Sequence, residues 1–462
     1  MTLIKSISGI RGTIGGAIGD NLTPLDIVKF TASYAKWLQV KNLGRRLTVA
    51  LGRDARLSGE LVNNIIEGTL LACGIDVVNV GLCTTPGVEM AVIKKKLDGG
   101  IIITASHNPK QWNALKLLNE RGEFLNAKEG GEILECAEKE DFNFVSIDNI
   151  GKVISRESFD VDHINSVLAL PLVDVELVKS KKFKVVVDAV NSVGGVVIPM
   201  LLERMGVEVV KLNCNPTGEF AHNPEPLPEH LTEICKVVKQ EGADLGVVVD
   251  PDVDRLALVC ETGEMYGEEY TLVSVADYVL SNTKGNTVSN LSSSRALSDV
   301  TKMHGSTYNA AAVGEVNVVA KMKETSAVIG GEGNGGVIYP ALHYGRDALV
   351  GVALFLTFLA KKECKVSELR LSYPNYFISK NKMELTPQIN VDAVLEAIKS
   401  KYSNEKVTDI DGVKIDFPTQ WVHLRKSNTE PIIRIYSESK DKASADDLAQ
   451  QIISDIKKII SQ

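Results

Sequence analysis

Short apolar runs rich in valine and isoleucine, separated by helix-like segments, constrain the fold of this 462-residue chain more than any other feature. The runs have the length and β-branched content of buried strands. Strands that alternate with helices favour parallel α/β layers. The predicted strands are Leu47–Leu51, Val77–Val80, Gly100–Thr104, Phe183–Asp188, Val207–Leu212, Leu245–Asp250, Thr287–Asn290 and a strand that ends at Ile329. The predicted helices between them include Leu61–Cys73, Val196–Met205 and Leu231–Glu241.

The last part of the chain has a different order of elements. Predicted strands follow one another there, before a closing helix over Ala443–Ile460, which is typical of a smaller α+β domain. These strands are Asn381–Leu385, Val413–Phe417, Trp421–Arg425 and Ile432–Glu438. A length of 462 residues suggests about three or four domains, and from the order of elements we predict boundaries that give residues 1–152, 153–257, 258–370 and 371–462.

Charge and cysteine content limit the kinds of partner and compartment. The formal net charge of −8 disfavours nucleic acid and acidic membranes as partners. The seven cysteines are scattered and form no CxxC pair, which argues against a disulfide framework or a zinc site and predicts a reducing, cytoplasmic compartment. The longest apolar run, Leu349–Ala360, is shorter than the ~20 residues that a membrane span needs, so we predict a buried helix.

The segment LGVVVDPDVDR, residues 245–255, combines an apolar strand with a triplet of acids, Asp250, Asp252 and Asp254. Neighbouring carboxylates repel one another unless a cation lies among them, and oxygen ligands favour Mg²⁺ or Ca²⁺. A solvated acidic turn is the alternative. An EF-hand loop is disfavoured, because Arg255 stands where that loop requires glycine. An arginine beside the acids suits a site that also binds phosphate.

The segment ITASHNPKQWNALK, residues 103–116, places Ser106 in a turn after a predicted strand. A serine on an exposed loop can act as a nucleophile. Serine, asparagine and proline are also ordinary turn residues, so a plain polar turn is the alternative. Lys116 follows in the same segment and could neutralise a phosphate group or transfer a proton.

Two further segments contain groups that bind sugars or phosphates. In IGGEGNGG, residues 329–336, Glu332 and Asn334 suit sugar hydroxyls. Its GxGxxG spacing also occurs in dinucleotide sites, but Pro340 interrupts the helix that such a site requires. In LRKSNTEPIIR, residues 424–434, guanidinium groups and short polar side chains can surround a phosphate, with a solvated loop as the alternative. The phosphate-binding candidates are Arg425, Ser427, Asn428, Thr429 and Arg434.

Taken in order, the segments TASHNP, DPDVDR, GEGNGG and RKSNTEP resemble those of the α-D-phosphohexomutase superfamily, which includes phosphoglucomutases, phosphomannomutases and phosphoglucosamine mutases. SGIRG at 8–12, GRDAR at 52–56 and VGEVNV at 313–318 are similar to further family segments, so the resemblance extends over nearly the whole chain. It implies three similar mixed α/β domains and a smaller C-terminal α+β domain around a central cleft. It also implies a magnesium-dependent enzyme that moves a phosphoryl group between two oxygens of a hexose phosphate.

The resemblance implies roles for individual residues. Glu332 and Asn334 would contact the sugar, and the RKSNTEP segment would bind the phosphate that does not react. Ser106 would carry the phosphoryl group, and one of its phosphoserine oxygens would complete a magnesium site whose protein ligands are Asp250, Asp252 and Asp254. The reaction centre would be lined by Arg11, His107, Lys116 and Arg255, with Lys116 as the general base.

One position departs from the family pattern. Many relatives end the sugar segment in Ser-Gly-His, whereas this chain has Asn334, Gly335 and Gly336, so the histidine has no counterpart at Gly336.

The expected reaction has two transfers. Phospho-Ser106 gives its phosphoryl group to O1 or O6 of the sugar, the bound 1,6-bisphosphate turns over, and the other phosphate returns to Ser106.

The expected partners are hexose or hexosamine phosphates and the hexose 1,6-bisphosphate intermediate. The resemblance favours a phosphoglucosamine mutase, with a dual phosphoglucomutase/phosphomannomutase as the alternative. A strand that ends in Asp-x-Asp also suits an aspartyl-phosphate phosphatase, in which Asp250 would be the nucleophile. A phosphosugar-binding protein without catalytic activity is the third hypothesis.

Overall fold

The computed structural model of the chain describes residues 2–6, 9–386, 389–426 and 432–460. The chain folds into two compact units. The first unit comprises Met1–Tyr278 and Asn334–Ser367, and the second comprises Val279–Gly333 and Glu368–Gln462. Among the described residues, no helix combines the length and the apolar character that crossing a membrane requires.

The N-terminal part of the first unit is a seven-stranded sheet. Its strands are β1 (Ile4–Ser6), β2 (Gly9–Thr13), β3 (Thr48–Arg53), β4 (Asp76–Leu82), β5 (Gly99–Ile103), β6 (Trp112–Leu118) and β7 (Val153–Arg156). Its helices are α1 (Pro24–Lys41), α2 (Gly59–Ala72), α3 (Thr85–Lys95) and α4 (Ala127–Lys139). The strand order is β1-β2-β6-β5-β3-β4-β7. Strand β7 lies just beyond residue 152, where we expected the first domain to end, and pairs with β4.

This first sheet is mixed. Strands β5, β3, β4 and β7 are parallel, as the alternation of strands and helices predicts. Strand β6 instead runs antiparallel to β5, with Lys116 opposite Ile102. The reason is the connection: a short turn over residues 104–111 joins the two strands, and a parallel neighbour would need a longer crossover. The sequence pattern did not reveal β6.

A second sheet follows in the first unit. Its strands are β8 (Lys184–Asp188), β9 (Glu208–Leu212), β10 (Leu245–Val249) and β11 (Leu256–Cys260), in the order β11-β10-β8-β9. Its helices are α5 (Asp160–Leu168), α6 (Val175–Lys181), α7 (Gly194–Arg204) and α8 (Thr232–Glu241). Every residue of β10 is buried, as expected for a central strand with an unbroken apolar sequence. The acidic triplet begins directly after this strand.

The second unit begins with parallel strands β12 (Asn286–Asn290), β13 (Tyr308–Ala311) and β14 (Ala327–Glu332), with β12 between the other two. Strand β14 continues to Glu332, beyond the predicted end at Ile329. The second unit also contains α10 (Ala296–Met303) and α11 (Glu315–Thr325). Strand β15 (Gly336–Ile338) and helix α12 (Ala348–Lys362) belong to the first unit, and α9 (Glu268–Asn282) and α13 (Val366–Leu371) each include residues of both units. Residues 348–360 of α12 are all buried, so the apolar run is a core helix, as predicted.

The C-terminal part of the second unit is a five-stranded antiparallel sheet in the order β16-β20-β19-β18-β17, where the strands are β16 (Phe377–Glu384), β17 (Lys406–Thr408), β18 (Val413–Asp416), β19 (Trp421–Lys426) and β20 (Ile432–Ser439). Two helices accompany it, α14 (Val391–Lys401) and α15 (Lys442–Ile460). This part has the predicted α+β character. The predicted fold class, three similar mixed α/β domains followed by a C-terminal α+β domain, is confirmed.

Candidate active site

The acidic triplet forms a tight, buried turn after β10. The side chains of Asp250, Asp252 and Asp254 are fully buried, and one carboxylate oxygen from each lies within 4.8 Å of the others. The Asp250 Oδ1 atom accepts hydrogen bonds from the backbone amides of Asp254, at 3.2 Å, and Arg255, at 3.1 Å. Val253 has a φ of 63°, which is unusual for a β-branched residue. The turn therefore holds the carboxylates together in a conformation that costs energy.

These three carboxylates fit a hard divalent cation. Among the described residues, the Oδ1 atoms of Asp252 and Asp254 are buried and have no hydrogen-bond partner. Burial and the negative charges of Asp252 and Asp254 raise the pKa of Asp250 well above its usual range. A cation among the oxygens would relieve this repulsion, and an all-oxygen donor set is the kind that Mg²⁺ prefers.

Ser106 lies directly against the acidic triplet. It follows β5, and its φ of 48° is in the left-handed region. The Ser106 hydroxyl donates a hydrogen bond to Asp250 Oδ2 at 2.7 Å, and its Oγ atom lies 3.4 Å from His107 Nδ1. The serine side chain is only slightly exposed, so few other orientations are open to it. The structure thus brings together the two central residues of the predicted site.

Arg56 holds the loop that carries Ser106. Its side chain is 1% exposed, and its Nε atom donates to the Asp54 carboxylate at 3.0 Å. Its terminal nitrogens donate to four backbone carbonyls of the loop, those of Ser106, Asn108 at 2.7 Å, Pro109 at 2.9 Å and Trp112 at 3.0 Å. A guanidinium group is suited to this task because it presents several donors in a rigid plane.

Asp54 extends this support to Thr104, at the start of the loop. The Thr104 hydroxyl donates to Asp54 Oδ2 at 2.7 Å and accepts from the Ser106 amide at 2.9 Å. We had predicted no role for Asp54, Arg56 or Thr104 from the sequence. The available signal was the pair of opposite charges in GRDAR, directly after a buried strand. Charged side chains are almost never fully buried unless they are paired with one another.

Three cationic side chains lie at the carboxylates. Lys116, on β6, has its Nζ atom 2.7 Å from Asp252 Oδ2 and 3.6 Å from Asp254 Oδ2. The Arg255 Nε atom lies 4.0 Å from Asp254 Oδ1. Arg346, which no sequence motif marked, donates from Nη2 to Asp254 Oδ2 at 2.6 Å. This positive charge suits a centre that must also accept anionic phosphate groups.

The ionisation of the neighbouring groups follows from this arrangement. Although burial lowers the pKa of Lys116, the charges of Asp252 and Asp254 raise it well above the usual value for lysine. Burial and the charge of Arg255 lower the pKa of His107 to about 2. Lys116 is therefore an ammonium ion and His107 a neutral imidazole at physiological pH.

Thr85 is a further contact that sequence reasoning missed. It stands in the first turn of α3, where its hydroxyl donates to Asp252 Oδ2 at 2.6 Å and its amide donates to the Asp252 carbonyl at 2.9 Å. No local pattern marks this threonine. Arg11, a predicted residue of the reaction centre, lies on β2 opposite Ala114 of β6, so it is on the strand next to the one that carries Lys116.

The predicted sugar-binding residues belong to different units. Glu332 is the last residue of β14 and belongs to the second unit. It accepts hydrogen bonds from Asn290 Nδ2 at 2.9 Å and from the Gly314 amide at 3.2 Å. Asn334 belongs to the first unit, and its Oδ1 atom accepts from the Gly336 amide at 3.2 Å. Their joint role in binding a sugar stays a prediction.

The phosphate-binding candidates are only partly described. Arg425 and Arg434 are opposite each other on the neighbouring strands β19 and β20. The Arg425 Nε atom lies 2.9 Å from Asp411 Oδ2, and that carboxylate oxygen also accepts from the Val313 amide at 2.9 Å. The other candidates lie outside the described residues; they are Ser427, Asn428 and Thr429.

Comparison with known proteins gives the same family for the whole chain. Family models of phosphoglucomutase/phosphomannomutase match in sequence order: alpha/beta/alpha domain I at residues 3–144, domain II at 161–263, domain III at 267–376, and the C-terminal domain at 381–454. The phosphoglucomutase/phosphomannomutase of Thermococcus kodakarensis is 36% identical over 438 residues, which cover 94% of this chain and 95% of the relative.

A second relative and a solved structure indicate the same family. The phosphoglucosamine/phosphogalactosamine mutase of Sulfurisphaera tokodaii is 32% identical over 461 residues and covers 97% of this chain and 98% of the relative. A solved structure of a phosphoglucomutase/phosphomannomutase family protein from Burkholderia thailandensis is similar with a TM-score of 0.85 at 25% identity, covering 98% of this chain and 97% of that one. The chain therefore belongs to the phosphoglucomutase/phosphomannomutase family and is a phosphohexomutase, an intramolecular phosphotransferase.

Proposed function

We propose that this phosphohexomutase interconverts hexose 6-phosphates and hexose 1-phosphates through phospho-Ser106 and a bound 1,6-bisphosphate, and that it prefers hexosamine phosphates. The observation that carries the proposal is the 2.7 Å hydrogen bond from the Ser106 hydroxyl to Asp250. It places a candidate phosphate carrier beside a buried set of carboxylates that suits a divalent cation.

The proposed cofactor is Mg²⁺, held by Asp250, Asp252 and Asp254 together with an oxygen of phospho-Ser106. When bound, it would neutralise negative charge on the phosphoryl group in transit. The unpartnered Oδ1 atoms of Asp252 and Asp254 support this assignment. Thr85, by bonding Asp252 Oδ2, orients one of the proposed ligands.

The transfer itself depends on the side chains around Ser106. The bond between Ser106 Oγ and phosphorus breaks while a sugar hydroxyl oxygen bonds to that phosphorus. The hydroxyl proton passes to a base, and the leaving Ser106 Oγ atom takes up a proton and becomes a hydroxyl group. We assign the base to Lys116, whose ammonium group must first leave its contact with Asp252 and lose a proton before it can accept one from the sugar. Arg11, His107 and Arg255 would line the reaction centre. The second transfer reverses these steps from the other phosphate of the bisphosphate, so Ser106 is phosphorylated again.

Substrate binding is proposed to combine two sets of groups. Glu332 and Asn334 would bind sugar hydroxyls, and the non-reacting phosphate would be bound by Arg425, Ser427, Asn428, Thr429 and Arg434. Since the two phosphates exchange places between transfers, this second set must recognise either end of the sugar. The preference for hexosamine phosphates is supported by the Sulfurisphaera relative, and a dual glucose/mannose preference by the Thermococcus relative. We also propose a reducing, cytoplasmic location, in keeping with seven cysteines that form no disulfide.

The test compares the specificity constants of the purified, magnesium-loaded protein for glucosamine, glucose and mannose phosphates, with a 1,6-bisphosphate primer. The Ser106→Ala variant should lose mutase activity, because no group remains to store the phosphoryl group. Ser180→Ala is a matched control, since its hydroxyl only bonds the Leu177 carbonyl on the exposed surface of α6. Mass spectrometry should find phosphate on Ser106 in the wild type. Full activity of Ser106→Ala would refute the proposed mechanism, and higher activity on glucose and mannose phosphates would refute the proposed preference.

A further inference from the structure

Arg346 occupies the space in which a side chain at position 336 would lie. A Cβ atom built on Gly336 would be 2.3 Å from Arg346 Cδ and 3.0 Å from Arg346 Cγ. Contacts this short do not occur between real side chains, so either residue 336 is glycine or Arg346 must move. The position of the Arg346 side chain therefore depends on the absence of a side chain at residue 336.

The charged end of Arg346 reaches the proposed reaction centre. Its Nη2 atom bonds Asp254 Oδ2 at 2.6 Å, and the arginine is 8% exposed. Lys116 Nζ lies 3.6 Å from the same carboxylate oxygen. Arg346 also contributes to the positive potential at His107. A guanidinium group in such a place can bind a carboxylate and a phosphate oxygen in turn or together, because it presents five donors.

The backbone that carries Arg346 is anchored by a buried network at the next residue. Asp347 Oδ1 accepts from the Leu349 amide at 2.8 Å and so caps α12. Asp347 Oδ2 lies 2.8 Å from His163 Nε2 and 3.2 Å from His343 Nε2. The other ring nitrogen of His343 lies 3.3 Å from Glu89 Oε2.

The side chains of this network are at most 1% exposed, so it links α3, α5 and the start of α12 in a dry interior. Helix α3 also carries Thr85, which bonds Asp252. The network therefore fixes two contacts to the acidic triplet, one from Thr85 and one from Arg346. Such support leaves Arg346 little freedom other than at the end of its side chain.

We propose that Arg346 is a further catalytic residue, which contacts the phosphoryl group in transit between Ser106 and the sugar and which depends on glycine at position 336. The proposal rests on the proposed function of Ser106. It also gives a candidate for the group that replaces the histidine of many relatives at position 336, because the Arg346 side chain lies where a Cβ atom at 336 would be.

The test is a double-mutant cycle at these two positions in the full-length, magnesium-loaded enzyme. Arg346→Gln should lower kcat about 100-fold, as expected for loss of one preorganised donor at a phosphoryl group. Gly336→Ala should lower kcat by a similar factor, because its Cβ displaces the arginine. The double variant should be no worse than either single variant, because both changes remove one interaction. Arg346→Lys should keep part of the activity, since it retains the charge but not the planar fork.

Two control variants separate these effects from general damage. Arg121→Gln removes an arginine that bonds Glu123 on the surface, and Gly68→Ala adds a Cβ that meets nothing within 4 Å. Both should keep wild-type kcat. Apparent melting temperatures of all variants show whether Arg346→Gln is folded.

Three outcomes would overturn the inference while leaving the proposed function intact, because the wild type would still be an active mutase. The first is an unchanged kcat in Arg346→Gln. The second is independent, multiplying effects of the two substitutions. The third is a loss of activity that excess Mg²⁺ restores completely, since Arg346 would then act only by orienting Asp254. An inactive wild type would instead refute the proposed function itself.

Discussion

Replacement of Arg56 should loosen the loop at 104–112, which carries Ser106, without altering the proposed catalytic side chains. In Arg56→Met, the long side chain remains, but the guanidinium group that bonds four loop carbonyls and the Asp54 carboxylate is lost. Ser106 would keep its own hydrogen bond to Asp250. The substitution therefore asks how much of the site depends on the support beneath it.

The expected loss of stability in Arg56→Met follows from the burial and the charge of the groups involved. Removal of one partner from a buried ion pair costs about 3–5 kcal/mol, because the remaining charge has no counterpart. Each charged hydrogen bond to a buried carbonyl contributes about 1.5–3 kcal/mol, and water can enter to replace part of it. Burial already raises the pKa of Asp54, so protonation of this carboxyl group would limit the loss. We expect a destabilisation of about 4 kcal/mol, concentrated in the loop at 104–112.

The assay combines hydrogen exchange with kinetics. In Arg56→Met, amides in residues 104–112 should exchange faster than in the wild type, and kcat should fall by about 100-fold, because misplacement of a reacting group by about 1 Å has an effect of that size. Lys110→Met is the matched control: it removes a cation from the same loop, but its partner Glu219 is exposed. An exposed pair contributes about 1 kcal/mol or less. Wild-type exchange and activity in Arg56→Met would refute the supporting role.

Three further predictions concern other parts of the molecule. Burial lowers the pKa of His343, but contacts with two buried carboxylates outweigh this effect and raise the pKa from 6.5 to about 10. The stabilising effect of His343 should therefore be complete below pH 6.5 and be lost as the pH rises to 10. The difference in apparent melting temperature between wild type and His343→Gln should shrink over that range, and a constant difference would contradict the prediction. Asp411→Asn should raise the KM for sugar phosphates by about two- to fivefold, because Arg425 loses the carboxylate that orients it, and an unchanged KM would show that the pair is incidental. Gly335→Ala should abolish stable folding around the sugar segment, since φ is +82° and the new Cβ would be 2.1 Å from a carbonyl oxygen; normal solubility and melting would count against this.

Local patterns in the sequence determined the elements whose residues are neighbours in the chain. The apolar run before Asp250 predicted a fully buried strand, and β10 is one, because an unbroken run of valines is stable only between two covered faces. Three carboxylates within one turn predicted a cation site, since their mutual repulsion does not depend on the rest of the fold. Ser106 was marked by its segment, and only the family resemblance joined it to the acids.

The tertiary structure decided which distant residues meet. Ser106 and Asp250 are 144 positions apart, and Thr85 and Asp252 are 167 apart. Lys116 reaches the acids because β6 is antiparallel to β5, a direction that the alternation of strands and helices did not predict. The side chain of Arg346 lies where a Cβ atom at position 336 would be, so its path depends on the glycine there. Sequence patterns record burial and local conformation, whereas such contacts depend on strand order, strand direction and the exact volume left by other side chains, which are properties of the packed chain.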